Sequence, residues 1–300
     1  MSAATPGEAP QLELDSTRLR APGLQADTLS LRAIEPSPCT EACPAGINVK
    51  SYVSLIAEGR FAEALEVVRE RCPLPGICGR ICHHPCETAC KRDDIEAPVG
   101  IRALKRFIAD LELELDTPAP FETQEPTRAE SVAIIGSGPA GLTAGYDLAR
   151  AGYRVTIFEG EPEAGGMLRY GIADYRLPPE ILDAEIDYLK RSGIEIRTAC
   201  RIGEDVELEA LLEKDYSAAI FAVGAQTGRR LGLEGEEGCE AVEDALAFLR
   251  RVNLGDHAPV SGNVLVIGGG STAIEAARSA LRLGADEVQI VYRRHRDQMP

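Results

Sequence analysis

Seven of the nine cysteines in this 300-residue chain lie between Cys39 and Cys90, as Cys39-x3-Cys43-Pro and then Cys72-x5-Cys78-x3-Cys82-x3-Cys86-x3-Cys90. Clustered thiols in this density point to metal chemistry. Zinc sites favour paired C-x2-C knuckles, and none occurs here. Covalent haem needs C-x-x-C-H, whereas the Cys82-His83 pair follows a C-x3-C gap. The C-x3-C-P run matches the tail of the bacterial ferredoxin pattern. The spacing therefore favours an iron–sulfur cluster over zinc and over free or bridged thiols, with Cys39, Cys43, Cys72, Cys78, Cys82, Cys86 and Cys90 as candidate ligands. Pro85 is expected to break the helix that carries Cys78 and Cys82, leaving Cys86 and Cys90 on a separate turn. His83 and His84 read as neighbours of the cluster or surface groups, because the cysteines suffice. Cys200 and Cys239 read as ordinary half-buried thiols.

Two glycine loops supply a second kind of chemistry. VAIIGSGPAG sets Gly136, Gly138 and Gly141 in G-x-G-x-x-G order. Gly136 permits a tight turn off a strand, Gly138 lets a pyrophosphate approach the backbone, and Gly141 lets the following helix pack on the strand. The helix start then faces the phosphates with free N–H groups. The next strand, RVTIFE, ends in Glu159, where a carboxylate can bind ribose hydroxyls. Gly165 and Gly166 follow closely and would allow backbone contact with a ligand. The second loop, VLVIGGGSTA, gives Gly268, Gly270 and Ala273, a G-x-G-x-x-A variant. Its second strand ends in Arg293 and Arg294, which can pair with a 2′-phosphate where an acid would repel it. That favours NADP over NAD; the alternative is a solvated basic surface run.

These groups need elements to hold them. Helical patterns run through VKSYVSLIAEG, FAEALEVVRER and GIRALKRFIADLELEL; the strand–turn–helix–strand pattern begins at Ser131 and returns at Asn263. Two such βαβ units mean two nucleotide sites or one duplicated domain. Residues 1–35 read as a flexible arm, 36–118 as a helical cysteine domain, 119–130 as a linker, 131–230 as the first nucleotide domain, and 231–300 as the start of the second. The formal net charge of −16 argues against a nucleic-acid partner. No apolar run is long enough for a bilayer, so no membrane insertion is expected, and the absence of a secretory pattern at the start points to the cytoplasm.

The motifs CTEACPAGINV, LPGICGRICHHPCETAC, PVGIRALKRF, AIIGSGPAGL, EAGGMLRYGI and VIGGGSTA occur in the order of one family. Over residues 36–300 the chain resembles the glutamate synthase small-subunit family of NAD(P)H-dependent FAD and iron–sulfur oxidoreductases, and is similar to the N-terminal half of dihydropyrimidine dehydrogenase. The resemblance implies an α/β chain: an all-α iron–sulfur domain, then FAD-binding and NAD(P)-binding Rossmann-like units, the latter two incomplete at this length. It implies that Gly136, Gly138, Pro139, Ala140, Gly141, Glu159, Gly166, Leu168 and Arg176 bind FAD. NADP, with NAD as the alternative, would be bound by Gly268, Gly270, Ser271, Thr272, Ala273, Arg293 and Arg294. Hydride would pass from NADPH to FAD, and single electrons through a [4Fe-4S] cluster to a partner subunit or a further part of the same protein. No catalytic acid or base is required. A non-catalytic iron–sulfur relay or scaffold is the alternative. Two departures stand out. Leu31 and Ile34 occupy the places of two cysteines found in relatives, and Lys105 the place of a Glu or Gln ligand, so one cluster is expected and a second would need an unusual ligand. The late segment that completes the FAD domain in the family is also missing, so weak retention of both nucleotides is expected of the chain alone.

Overall fold

The computed structural model describes residues 36–114, 125–232, 234–236 and 238–299. The expected arm over residues 1–35, with Leu31 and Ile34, and residues 119–124 of the expected linker lie outside the described residues.

Residues 38–114 form six helices: α1 (Pro38–Glu41), α2 (Val49–Ala57), α3 (Phe61–Arg69), α4 (Pro75–Ile81), α5 (Pro85–Thr88) and α6 (Ile101–Glu114). Asn48 starts α2 by accepting a hydrogen bond from the Ser51 amide at 3.2 Å. Proline at the first position opens α1, α4 and α5. Between α4 and α5 the chain reverses at His84, in the left-handed region at φ 48°. Helices α2, α3 and α6 each bury one stripe into a shared core of Ile47, Tyr52, Leu65, Val68, Ile101 and Ile108, which also takes in the side chains of Cys72 and Cys86. At Gly79 a Cβ would lie 2.8 Å from the Arg106 Cα. Only glycine lets the backbones of α4 and α6 meet there, and that contact lays the cysteines of α4 against α6.

A four-stranded parallel sheet follows, in the order β3-β2-β1-β4, built from β1 (Ser131–Ile135), β2 (Arg154–Phe158), β3 (Glu195–Arg197) and β4 (Ala218–Phe221). The central β1 and β2 are near-continuous apolar runs, as a strand covered on both faces must be. Between the strands come α7 (Pro139–Arg150), α8 (Met167–Tyr170), α9 (Pro179–Arg191) and α10 (Leu208–Lys214). A separate parallel pair, β5 (Asn263–Ile267) and β6 (Glu287–Val291), is joined by α12 (Ser271–Arg282), against which α11 (Ala245–Asn253) packs through Phe248 and Leu249. Leu265, Ile267 and Val291 of this pair are about half exposed.

The helical region is built into the sheet region through α4. Leu74 and Ile77 belong to the same core as Ile134, Leu142 and Leu182. The Gly76 amide donates to Glu185 Oε1 of α9 at 2.6 Å, and the Arg69 guanidinium covers the Tyr188 ring at 3.7 Å. Glu185 is fully buried, and Oε2 has no partner among the described residues. Burial pushes its carboxyl up to about 8, outweighing the downward pull of Arg69 and of the Gly76 amide. The folded protein thus holds a proton that the unfolded chain releases near 4.5. The stabilisation is full below about pH 4.5 and is lost as pH rises to about 8. Denaturant titrations across that window should show a falling stability for the native protein and a flatter profile for Glu185→Gln, which still accepts from Gly76. Parallel profiles would remove Glu185 as the cause.

The β5–β6 unit is tied to the first sheet by ion pairs of Arg176 with Glu275 and of Arg250 with Glu161. Asn253 Nδ2 also donates to the carbonyls of Arg169 and Ile172 at 3.1 and 2.9 Å.

Candidate functional site

The first glycine loop sits where β1 ends, at the carboxyl edge of the parallel sheet, the side on which α/β folds bind ligands. Gly136 has φ 107°, and a Cβ there would lie 2.4 Å from the Ala222 carbonyl oxygen. A Cβ on Gly141 would lie 2.0 Å from the Gly136 oxygen, so the helix start is drawn onto the turn. Gly138 differs: a Cβ on it would meet nothing within 4 Å. Open space, not packing, is what its glycine serves, and this fits a phosphate lying against the backbone at the start of α7, which Pro139, Ala140 and Gly141 begin.

Glu159 lies at the tip of β2, 8% exposed. Its Oε2 accepts from the Ser137 amide at 3.0 Å and the Ser137 hydroxyl at 2.5 Å, and its Oε1 from the Glu161 amide at 2.9 Å. Ser137 Oγ in turn accepts from the Gly165 amide at 3.0 Å. One serine thus fastens the ribose-side acid, the phosphate loop and the Gly165–Gly166 turn together. Gly166, at φ 54°, would place a Cβ 2.9 Å from Gly138 Cα, so the two turns touch. Leu168 is buried in the core behind this turn, and the Arg176 guanidinium is committed to Glu275 of α12. Both hold the loop's surroundings in place.

The second loop leads from β5 into α12. Gly268 has φ 139°, and a Cβ on it would lie 3.3 Å from that of Ala273; Gly270 precedes the helix with open space beside it. Ser271 and Thr272 begin α12, with Ser271 exposed. A Cβ on Gly269 would lie 2.4 Å from the Tyr292 ring, so this glycine makes room for a side chain of the chain itself. Arg293 and Arg294 are exposed just beyond β6.

Cys39, Cys43, Cys72, Cys78 and Cys86 border the one helical core. Cys39 lies in α1, within 3.2 Å of the Ser37 hydroxyl, and Cys43 follows that helix. Cys72 is buried after α3, Cys78 lies within α4, and Cys82 caps its end, accepting from the His84 amide at 3.3 Å. Cys86 is buried in α5. Tyr52, 1% exposed, donates to the Ile101 carbonyl at 3.1 Å. Burial, and then the charges of Cys86, Cys43, Cys78 and Cys39 around it, push its hydroxyl well above the ordinary tyrosine value. On the other side the Lys105 Nζ donates to Cys78 Sγ at 2.9 Å, with Cys72 and Cys82 beside it. Hydrogen bonding from Cys72 and the Lys105 ammonium hold Cys78 down at about 5, whereas burial pushes Cys86 up to about 11. Cys90, half-buried, caps the 3₁₀ turn Lys91–Asp94. The His84 Nδ1 lies 3.1 Å from a Glu87 oxygen, and Arg102 fixes the loop by donating to the Cys82 carbonyl at 2.8 Å. Among the described residues no three Cys, His, Asp or Glu converge on the position of a single ion. Thiols spread around a shared volume, with a buried cation that favours the thiolate form, fit an iron–sulfur cluster.

Ser137, Glu185 and Glu275 do not figure among the sequence candidates. Ser137 could have been suspected as the hydroxyl inside the loop; the two glutamates act on partners about a hundred residues away and leave no local pattern.

Two parallel βαβ units with glycine turns, joined to a cysteine-rich helical region, are the arrangement of a pyridine-nucleotide oxidoreductase with an iron–sulfur domain. Residues 130–298 match the pyridine nucleotide-disulphide oxidoreductase family, to which the chain belongs. Residues 30–117 match dihydropyrimidine dehydrogenase domain II, 4Fe-4S cluster. The chain is 42% identical over 294 residues to the NADP(+)-dependent formate dehydrogenase subunit beta of Moorella thermoacetica, covering 91% of this chain and 41% of that one. It is 42% identical over 268 residues to the NADPH-Fe(3+) oxidoreductase subunit beta of Geobacter sulfurreducens, covering 88% and 40%. Identity to the NAD-dependent dihydropyrimidine dehydrogenase subunit PreT of Salmonella typhimurium is 37% over 267 residues, 88% of this chain and 63% of that one. The chain thus spans about two fifths of the length of the first two relatives. Its cofactors are FAD, NAD(P)H and a [4Fe-4S] cluster, and its domain order is the one expected from the sequence. Among the described residues no helix is long and apolar enough to cross a membrane.

Proposed function

We propose that this chain is the electron-input part of a larger cytoplasmic oxidoreductase, drawing on NADPH and delivering single electrons to a partner subunit or to a further domain of the same protein. When bound, FAD accepts hydride from NADPH as an electron pair and releases it singly to the iron–sulfur centre. The chain's own residues bind and orient. Gly136, Gly138, Pro139, Ala140 and Gly141 receive the flavin nucleotide's pyrophosphate, Glu159 its ribose, and Gly166 closes on the same loop. Gly268, Gly270, Ser271, Thr272 and Ala273 receive the second pyrophosphate. Cys39, Cys43, Cys72, Cys78, Cys82, Cys86 and Cys90 form the cluster's surroundings. Domain bounds of 36–118, 131–230 and 231–300 serve this division of labour. The observation that carries the reading is α4: the helix that holds Cys78 also supplies Ile77, with Leu74 at its N-cap, to the core beneath the first glycine loop. Nine free cysteines suit a reducing compartment. The relatives named as beta subunits support a partner. The test is reduction of a one-electron dye by the flavin- and iron-loaded protein under anaerobic conditions, with NADPH as donor; iron-loaded protein that binds no flavin and ignores NADPH would support a relay instead.

Nucleotide choice follows from β6. Arg293 and Arg294 offer charge-assisted hydrogen bonds to a 2′-phosphate, each worth about 1.5–3 kcal/mol. Arg293→Ala/Arg294→Ala should therefore raise KM for NADPH by about tenfold or more while leaving KM for NADH nearly unchanged. Equal losses with both nucleotides would assign these arginines to the surface.

A further inference from the structure

Lys105 stands where the pattern of α6 asks for an apolar side chain. It lies on the inward stripe with Ile101, Ile108 and Ala109 and is 6% exposed. Its Nζ is 2.9 Å from Cys78 Sγ, and Cys72, Cys82 and Cys86 also feel its charge. Burying an ammonium costs several kcal/mol unless an opposite charge compensates it, and what faces this one is sulfur. The contact is built in by Gly79, whose missing side chain lets α4 meet α6 at Arg106, the neighbour of Lys105. The same α4 carries Gly76 and Ile77, which are fixed to the flavin domain through Glu185 and the shared core.

We propose that Lys105 is an electrostatic tuning residue, whose ammonium, held against the Cys78 sulfur, favours the reduced state of the adjoining [4Fe-4S] cluster and so lets it accept an electron from the flavin. This rests on the reading of Cys78 as a cluster ligand. A protonated amine has no lone pair for iron, so it acts through sulfur and through its charge. One-electron reduction adds one negative charge to the cluster. A fixed cation in a low-dielectric site stabilises that form more than the oxidised one, and a hydrogen bond to the ligand sulfur acts in the same direction.

The experiment uses the whole protein loaded with iron, sulfide and FAD. Iron per chain is measured first, followed by the cluster midpoint potential in an EPR-monitored redox titration. Lys105→Met should keep the wild-type iron content and shift the reduction equilibrium about tenfold or more towards the oxidised cluster, at least about 59 mV for one electron. Lys105→Arg, which keeps the charge, should stay within about threefold of wild type. A methionine variant with wild-type iron and an unchanged potential overturns the proposal. If Lys105→Met loses its iron, Lys105→Arg decides: wild-type iron and potential uphold the charge, whereas loss of iron there too marks Lys105 as scaffold or ligand and overturns it. A wild-type protein without iron fails at the earlier step, by sinking the cluster itself.

Discussion

Gly136→Ala is expected to cost the protein several kcal/mol of stability and its bound FAD. The residue has φ 107°, and the added Cβ would lie 2.4 Å from the oxygen and 2.8 Å from the carbon of the Ala222 carbonyl. Both are backbone atoms just beyond β4, which is paired to β1 in parallel register, so neither can swing aside. Left-handed strain contributes about 1–2 kcal/mol and overpacking about 1–3 kcal/mol. The relief available is to pull β4 from β1 or to open the loop, and opening the loop moves Ser137 off Glu159. Chemical denaturation and flavin absorbance after desalting read the two losses. Gly138→Ala is the matched control, because its φ of −67° suits any residue and its Cβ would meet nothing within 4 Å. It should fold within about 0.5 kcal/mol of wild type and still hold FAD less tightly. A Gly136→Ala protein as stable as the native one would contradict the packing on which the loop is built.

Cys78→Ser should lose most of its iron and slow NADPH-driven reduction of a one-electron acceptor by about a hundredfold, a loss of nearly 3 kcal/mol. Cys78 is prepared to be a thiolate, with Cys72 hydrogen-bonded to it and Lys105 at 2.9 Å. A serine hydroxyl keeps the shape but not the soft, ionised sulfur that iron prefers. Reduction of FAD by NADPH should survive, because that step does not pass through the cysteine centre. Cys239, exposed and remote in sequence from the cluster, provides the comparison: Cys239→Ser should match wild type in iron and rate. Wild-type iron in Cys78→Ser would remove Cys78 from the ligand set.

What could be read in the residues is what depends on neighbours in the chain. G-S-G-P-A-G between an apolar run and a helix implies the turn at Gly136 and the close approach at Gly141, because backbone geometry alone demands both. Pro85 likewise implies that α4 stops before Cys86. Lys105 was half legible: its place between Ile101 and Ile108 puts it on the buried face, but only the fold reveals that sulfur awaits it there. Arg176 was not legible in this sense. The family resemblance implies contact with FAD, and only the fold reveals that its guanidinium also pairs with Glu275, 99 residues on, across the junction with α12. Glu185 is a similar case, since its burial and its bond to Gly76 need α4 and α9 side by side. Gly269, between the two glycines of the second motif, seats the Tyr292 ring, a partner 23 positions on that leaves no local pattern.

The most direct test is a single anaerobic mixing of the FAD- and iron-loaded protein with a several-fold excess of NADPH, which supplies more electrons than the flavin alone can hold, frozen after the flavin band has bleached and examined by EPR. Electron flow through the cysteine centre gives the signal of a reduced [4Fe-4S] cluster, appearing with or after flavin bleaching and absent from Cys78→Ser. Flavin that bleaches fully while an intact, EPR-silent cluster stays oxidised through all times would contradict it, because the cysteine centre would then lie outside the path of the electrons.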